Sequence, residues 1–415
     1  MESIQESANL NFRSLLTTYT STLLKQLKAI PFILDKLNDE CTREKNSYLQ
    51  FIQNNNLDNA GGEGETSTAN LQVPQDKVDE HDLHYNNIES IMTIQETILT
   101  TQYIYSVTQF DSFLQNLMRC IYRMHPDILK SNTTTIEYKE LFGFTSVNDI
   151  KSYLVENIID ELFRKSHKDI LEQFNKLSKV DVSKEMSELY KRFVEITERR
   201  NVLVHCNGVA SKQYINVCKQ NNITITVREG DVLPINIDIF KDCIEVLLEL
   251  SVKIGFLIWN KLDKGDRVNS DTFIDNICNS LISQSNYKLA IALIDFLSNH
   301  KESNMTTAAK HKLKMYWIFA HKKLNNQEKV TEGLGEDWSS VKPLISLILA
   351  ILKDEYREAE NIIRRNGNFS NEIPVNMYAT SVLFSDFIKS ENFASVYSEL
   401  YGSNFTYDRK RLFFE

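Results

Sequence analysis

Helical patterning is the feature of this sequence that most constrains its fold. Apolar and aromatic residues recur every three or four positions through most of the 415 residues, which contain only 12 Gly and 6 Pro. Such spacing lines one face of a helix with apolar side chains. The scarcity of turn-forming residues disfavours a β-sandwich or barrel. We therefore predict an all-α protein, and its length predicts two or three domains.

Composition along the chain predicts four segments. Residues 1–56 form an N-terminal helical segment in this prediction, with Pro31 kinking or restarting the helix. Residues 57–85 contain much Gly, Asn, Asp, Glu, Ser and Thr, which predicts a flexible linker. Residues 86–262 contain four strongly periodic helices, over about residues 86–126, 147–177, 182–206 and 239–262, and Gly208 is placed to end the third of them. Residues 270–415 contain shorter amphipathic helices separated by polar turns.

A β-hairpin is predicted within residues 86–262, just before the last of the four helices. Residues 223–227 alternate and are rich in β-branched side chains, and Gly230-Asp231 supplies a turn. Because Pro234 cannot donate a backbone hydrogen bond, the second arm is expected at an edge.

Residues 270–415 show signs of a helix-pair repeat. An aromatic residue is followed three positions later by a small or branched apolar residue at Tyr287, Tyr356 and Phe393, with a degenerate copy near Gln327. The spacings are irregular but approach the tetratricopeptide period of about 34 residues. We predict a tetratricopeptide-like array, with an irregular helical bundle as the alternative.

Charge and cysteine content limit the class of protein. With a net charge of −9, the protein as a whole is not a polyanion-binding surface, so any contact with a polyanion needs a local basic patch. Residues 184–219 supply one, with seven Lys and Arg against four Glu. The six Cys residues lack zinc-site spacing, which predicts reduced thiols, a cytoplasmic location and no metal. No uninterrupted apolar run reaches about 18 residues, so no membrane association is expected.

One polar motif interrupts the end of a strongly helical run. Arg200-Asn201-x-x-x-His205 follows an apolar face, and burying these side chains without partners would cost several kcal/mol. Arg offers a fork of donors for phosphate, and His can give or take a proton near neutral pH. This combination suits RNA cleavage without a metal. The plainer interpretation is a capped helix end that carries a satisfied histidine.

Helix geometry links the motif to a dimer. Asn201 and His205 are four residues apart and share a face. Arg200 and His205 are about 140° apart around a regular helix and do not converge within one chain. Two chains that meet along this helix could pool both groups, so a homodimer belongs to the predicted mechanism.

These features together resemble the HEPN superfamily over about residues 86–262. The resemblance is carried by the following features in order: Phe110-Asp111-Ser112-Phe113, Arg200-Asn201-x-x-x-His205, Asn207-Gly208-Val209, Tyr214-Ile215, and Gly230-Asp231 before a last helix. The sequence looks closest to members found in bacterial abortive-infection and toxin systems.

The resemblance implies an all-α, HEPN-like four-helix bundle with a short β-hairpin insertion, followed by the C-terminal array of helix pairs. It implies a dimeric, metal-independent endoribonuclease without a cofactor, acting as a toxin or anti-phage defence effector. In that scheme Arg200 holds the scissile phosphate, His205 acts as acid or base, and Asn201 orients the histidine or the substrate. The substrate-binding or supporting residues are Arg199, Asp111 and Lys212, with Asp111 expected to be a partner of Arg200 or Asn201.

Two other functions remain open from the sequence. A non-catalytic HEPN module could serve dimerisation or regulation, since a fold does not fix a function. A structural helical-repeat adaptor would make the motif accidental. In the ribonuclease hypothesis, the C-terminal repeats sense a trigger or dock a protein partner.

Overall fold

The architecture consists of helices joined by loops. The computed structural model describes residues 11–55, 57, 73–131, 135–178, 181–301, 303–338, 342–366, 373–402 and 404–406. Over these ranges there is no β-strand, in agreement with the predicted all-α class. The helices in these ranges include none with the length and apolar character needed to cross a membrane.

The chain divides into two compact units. The central unit is Ser21–Leu250, and the terminal unit combines Met1–Thr20 with Ser251–Glu415. Both boundaries lie inside helices, the first within Phe12–Asn54 and the second within Ile237–Leu262.

The central unit contains most of the long helices. Its helices, including the two that continue into the terminal unit, are α1 (Phe12–Asn54), α2 (Val78–Met124), α3 (Tyr138–Leu141), α4 (Val147–Phe163), α5 (His167–Ser178), α6 (Val182–Glu185), α7 (Ser187–His205), α8 (Lys212–Gln220) and α9 (Ile237–Leu262). Short 3-10 turns at Gln75–Lys77 and Pro126–Ser131 flank α2.

The two long helices differ from the sequence prediction at one position each. Helix α1 continues through Pro31 rather than restarting there. Helix α2 begins at Val78, inside the predicted linker of residues 57–85; residues 58–72 of that linker lie outside the described ranges. The early start has a physical cause, because Tyr48 of α1 contacts the rings of His81 and His84 at centroid distances of 5.6 and 5.9 Å.

The core of the central unit is built where α2 packs against α7. Phe110 and Phe193 are fully buried and meet edge to face, with ring centroids 5.3 Å apart. Each buried aromatic side chain contributes about 2–3 kcal/mol to folding. The Tyr103 hydroxyl donates to the Ile196 carbonyl oxygen at 3.2 Å, so this polar group is satisfied inside the core. Together these contacts fix the rotation of α7.

The sequence predicted one helix over residues 147–177, but the structure contains two. Helix α4 ends at Phe163, and α5 starts at His167. The Ser166 hydroxyl accepts from the Asp169 backbone N–H at 3.3 Å, and the Asp169 carboxylate accepts from the Ser166 backbone N–H at 3.2 Å. This reciprocal capping ends one helix and begins the next.

The predicted β-hairpin is wrong in its pairing. Residues 229–233 return alongside the end of α7, where Val232 forms an isolated antiparallel bridge with Val209, rather than pairing with residues 223–227. The Ala210 backbone N–H donates to the Asp231 carbonyl oxygen at 2.8 Å. Residues 223–227 instead pack their alternating apolar side chains against a small core around Tyr214 and Leu233. The packing of every second side chain on this core explains the alternating pattern that suggested a strand.

The terminal unit is an array of helix pairs. Its helices after α9 are α10 (Arg267–Ser283), α11 (Tyr287–Asn299), α12 (Thr307–Lys323), α13 (Gln327–Leu334), α14 (Pro343–Leu352), α15 (Tyr356–Asn366), α16 (Asn376–Thr380) and α17 (Glu391–Tyr401), with 3-10 turns at Lys264–Asp266, Val382–Phe384 and Phe387–Lys389. Three successive pairs are α10 with α11, α12 with α13, and α14 with α15. Helix α12 packs against both α10 and α14, so the first helices of the pairs stack in sequence order.

The same turn joins the two helices of each pair. Its left-handed residue is Ser285, Asn325 or Asp354, with φ of 62°, 57° and 60°. In each turn the following residue donates its backbone N–H to the carbonyl oxygen five positions earlier, which is a Schellman-type helix end. The helix starts at Tyr287, Gln327 and Tyr356 match the positions at which the sequence suggested repeat copies.

Candidate functional site

Helix α7 carries the Arg-Asn-x-x-x-His motif over its last turns. The helix ends at His205 because Asn207 and Gly208 adopt positive φ values of 49° and 78°. The Gly208 backbone N–H donates to the Val202 carbonyl oxygen at 3.2 Å and closes the helix end. Gly208 is thus the helix stop that the sequence predicted.

Arg200 is anchored by a carboxylate from α2. Its Nη2 donates to Asp111 Oδ2 at 2.6 Å, and the two side chains are 19% and 21% exposed. This is the partnership that the sequence suggested for Asp111. The pair fixes the guanidinium and leaves most of its five donors available. Among the described residues, Arg200 Nε is buried without a hydrogen-bond partner.

The same carboxylate holds a histidine that the sequence analysis missed. His167 Nε2 lies 2.7 Å from Asp111 Oδ1, so Asp111 bridges an imidazole and a guanidinium through its two oxygens. The His167 ring also packs edge-on against Phe193, with centroids 5.5 Å apart and an interplanar angle of 87°. The signal that could have located it is Ser166-x-x-Asp169, a capping pattern that starts a helix at His167.

Asp111, His167 and Arg200 line a cleft with a volume of about 670 Å³. Helices α2, α4, α5, α7 and α8 all contribute to its walls. The charged side chains of the lining are four cations and two carboxylates: Arg164, Lys165, Lys168, Arg200, Asp111 and Glu198. The cleft therefore carries local positive charge in a chain whose net charge is −9. Such a cleft favours an anionic ligand.

The source of this positive charge differs from the predicted one. Within residues 184–219, Lys191 pairs with Glu188 at 2.7 Å, and Arg192 pairs with Asp242. These pairs neutralise much of the basic patch that the sequence suggested. The exposed cations at the cleft instead come from the α4–α5 connection, at Arg164 and Lys165, and from the first turn of α5, at Lys168.

Asn201 and Glu198 complete the α7 wall of the cleft. Asn201 Nδ2 lies 3.4 Å from Glu198 Oε1, and Arg200 Nη1 lies 3.4 Å from Asn201 Oδ1; both contacts are long for hydrogen bonds. Burial raises the pKa of the Glu198 carboxyl, and His167, Asn201 and Arg200 only partly oppose this effect. The weak contacts leave the Asn201 amide free to reorient toward a ligand.

Arg199 points away from the cleft, although it precedes Arg200 directly. Its guanidinium contacts Glu195 at 2.8 Å and donates to the Pro234 carbonyl oxygen at 3.0 Å. The Tyr214 hydroxyl donates to the same Glu195 carboxylate at 2.7 Å. Burial raises the pKa of Tyr214, and the neighbouring Glu195 carboxylate raises it further. Arg199 therefore joins α7 to the segment before α9 instead of supplying a phosphate contact.

Two other predicted site residues lie outside the cleft. His205 and Lys212 are exposed, and neither contributes to the cleft lining. The structure thus brings together Arg200, Asn201 and Asp111 in one chain, but it does not bring His205 to them.

In the ranges that the structure covers, no group of three or more His, Cys, Asp or Glu side chains is arranged to hold a metal ion. No protein-family model, curated protein or solved structure shows significant similarity to this chain. The motif and the geometry of the cleft are therefore the features of the molecule that bear on its function.

Proposed function

We propose that this chain is a metal-independent endoribonuclease of the HEPN type that binds RNA in the α2–α5–α7 cleft. One observation carries the proposal: Arg200, held by Asp111, forms part of a cleft with four cations and two carboxylates in an otherwise acidic protein. RNA binding begins with phosphate neutralisation by Lys and Arg. The acidic remainder of the surface would disfavour RNA elsewhere.

Arg200 is suited to hold the scissile phosphate. A guanidinium presents paired donors that match two phosphate oxygens. Asp111 takes only one short contact, at Nη2, and holds the group in place before the substrate arrives. Such preorganisation stabilises the charge that develops on phosphorus oxygens during cleavage. Asn201, next to Arg200 in the lining, would orient the substrate.

His205 would come from a second copy of the chain. It is exposed at the end of α7 and stands outside the cleft that contains Arg200. A homodimer that pairs two α7 helices would bring His205 of one chain to the phosphodiester held by Arg200 of the other. There it would transfer a proton during attack of the 2′-hydroxyl on phosphorus, so the RNA supplies its own nucleophile.

The proposal is tested by RNA cleavage in the presence of EDTA. The intact protein should cut RNA and leave 2′,3′-cyclic phosphate or 3′-phosphate ends, and His205→Ala should abolish cleavage without lowering thermal stability. His311→Ala is the matched control, because it removes an imidazole that packs against Trp338 in the terminal unit. Cleavage that survives in His205→Ala would overturn the assignment.

A second candidate function is supported by the position of His205. Because that residue lies outside the cleft, the cleft could bind RNA without cutting it, as a non-catalytic HEPN module would. This candidate predicts RNA binding that depends on Arg164, Lys165 and Lys168, with no cleavage by any form of the protein.

The proposed biological role is that of a toxin or anti-phage defence effector. In this proposal the helix pairs of the terminal unit, which stack in sequence order, form a docking surface for a protein trigger. Expression of the intact chain should then harm cells, while expression of His205→Ala should not.

A further inference from the structure

We infer that His167 is the general base of the cleft and takes the proton from the attacking 2′-hydroxyl. This inference rests on the proposed ribonuclease function and divides its proton transfers between two histidines. His167 would act within the chain that holds the phosphate, and His205 would act from the second copy.

The hydrogen bond to Asp111 fixes which nitrogen of His167 can act as a base. The Asp111 carboxylate, paired with Arg200, only accepts hydrogen bonds, so Nε2 at 2.7 Å carries the ring proton. The lone pair then resides on Nδ1. Among the described residues, the one hydrogen bond of the His167 ring is that between Nε2 and Asp111, and the His167 side chain is 21% exposed in the lining of the cleft.

The surroundings hold the ring in this orientation. Its position at the start of α5 is set by the Ser166–Asp169 capping pair, and one side of the ring packs on Phe193. The charged groups around it are Asp111 from α2, Glu198 and Arg200 from α7, Lys168 from α5 itself, and Arg164 and Lys165 from the connection before α5. Enzymes use histidines of this kind as general bases: a carboxylate holds one ring nitrogen, and the other ring nitrogen accepts the proton.

Sharing one carboxylate places the imidazole beside the phosphate-binding guanidinium. Arg200 and His167 contact opposite oxygens of Asp111, so a phosphate on Arg200 would lie next to the His167 ring. A reacting 2′-hydroxyl is attached to the ribose that precedes the scissile phosphate. It can therefore approach Nδ1 while the phosphate stays on Arg200.

The reaction balances with the two histidines. The O2′–P bond forms and the P–O5′ bond breaks, giving a 2′,3′-cyclic phosphate and a 5′-hydroxyl. The 2′ proton passes to Nδ1 of His167, and the imidazolium of His205 gives a proton to the departing O5′. No oxidant, reductant or further reactant is needed.

The test compares His167→Gln with the intact protein on RNA in EDTA. Gln can keep the donor to Asp111 but cannot accept the proton, so cleavage should fall by about 100-fold or more while RNA binding is retained. Glu172→Ala, an exposed change one turn further along α5 and outside the cleft lining, is the matched control and should cleave normally.

A substrate with sulfur in place of the scissile O5′ separates the two histidines. Thiolate leaves without a proton, so this RNA should restore cleavage to His205→Ala and not to His167→Gln. Normal cleavage of ordinary RNA by His167→Gln, or its rescue by the sulfur substrate, would overturn the inference while the ribonuclease function stands. Absence of cleavage by the intact protein would overturn the ribonuclease function itself.

Discussion

Two adjacent arginines on α7 have different surroundings. Successive residues of a helix point about 100° apart, so Arg199 and Arg200 cannot face the same element. Arg200 reaches Asp111 at the cleft, whereas Arg199 contacts Glu195 and the Pro234 carbonyl oxygen. The sequence analysis assigned a role at the substrate to both residues, because a sequence shows their charge but not their direction.

Replacing Arg199 with Ala should therefore act on stability. The change leaves the Glu195 carboxylate and the Pro234 carbonyl oxygen without their cationic donor. The Arg199 and Glu195 side chains are only 13% and 18% exposed, so water replaces the lost contacts poorly. We expect the free energy of unfolding to fall by about 2 kcal/mol, as measured by urea denaturation of the central unit within the full chain.

RNA binding by the folded Arg199→Ala protein should stay unchanged. Weakened RNA binding together with unaltered unfolding would show that Arg199 is a phosphate ligand after all. Arg200→Ala provides the comparison, since its loss should weaken RNA binding directly.

At the scale of elements, hydrophobic periodicity predicted most helices but not where they are interrupted. Periodicity reports which face is buried, and it continues across Arg164–Ser166 because Ile159 and Ile170 are both buried. The break depends on two hydrogen-bonding side chains, Ser166 and Asp169. The same break brings His167 to the cleft. Because the sequence analysis did not identify the Ser166–Asp169 cap, it also missed His167 as a site residue.

Alternation misled the prediction for residues 223–227. The pattern of one buried and one exposed residue fits a strand, and it equally fits an extended segment that packs on a local core. The backbone of residues 208–210 forms hydrogen bonds with residues 230–233, and these bonds determine how the segment folds. The sequence pattern does not show that these two segments pair.

The helix pairs of the terminal unit are regular in structure, although their repeat is weak in the sequence. Their helices differ in length, so the repeat spacing is irregular in the sequence. The joining turns are nevertheless the same, with Ser285, Asn325 and Asp354 in the left-handed conformation. Asn and Asp tolerate that conformation better than most residues.

Close packing within the second pair gives a stability prediction. A Cβ atom on Gly333 of α13 would lie 2.6 Å from Ile318 Cγ1 and 3.2 Å from Trp317 Cζ3 of α12. Gly333→Ala should lower the free energy of unfolding by about 1–3 kcal/mol, because α12 and α13 must separate to admit the methyl group.

Thermal or urea unfolding of the full chain measures this effect. Gly335→Ala is the matched control, because its nearest contact lies at 3.3 Å on a backbone oxygen at the helix end rather than between helices. An unchanged stability in Gly333→Ala would contradict the tight α12–α13 contact.

At the scale of the whole molecule, the candidate site gathers residues that are distant in sequence. Asp111, His167 and Arg200 come from three helices and meet through one carboxylate. The motif revealed Arg200, Asn201 and His205 because they are neighbours in the chain. It could not reveal His167, whose relation to Asp111 arises only when α2, α5 and α7 pack together.

Because His205 is exposed and lies outside the cleft, the proposed active site needs two chains. Arg200 of one subunit and His205 of the other would form each active site, so neither variant alone can be active. A heterodimer of Arg200→Ala and His205→Ala would contain one complete site and one that lacks both groups. Its activity should reach about half that of the intact dimer, because one of two sites is restored.

The most direct measurement is therefore RNA cleavage in EDTA by this heterodimer, co-expressed with two affinity tags and purified through both. We predict that each variant homodimer is inactive and that the purified heterodimer cleaves RNA at about half the rate of the intact protein. A heterodimer as inactive as its parents, while the intact protein cleaves, would contradict the shared site of Arg200 and His205.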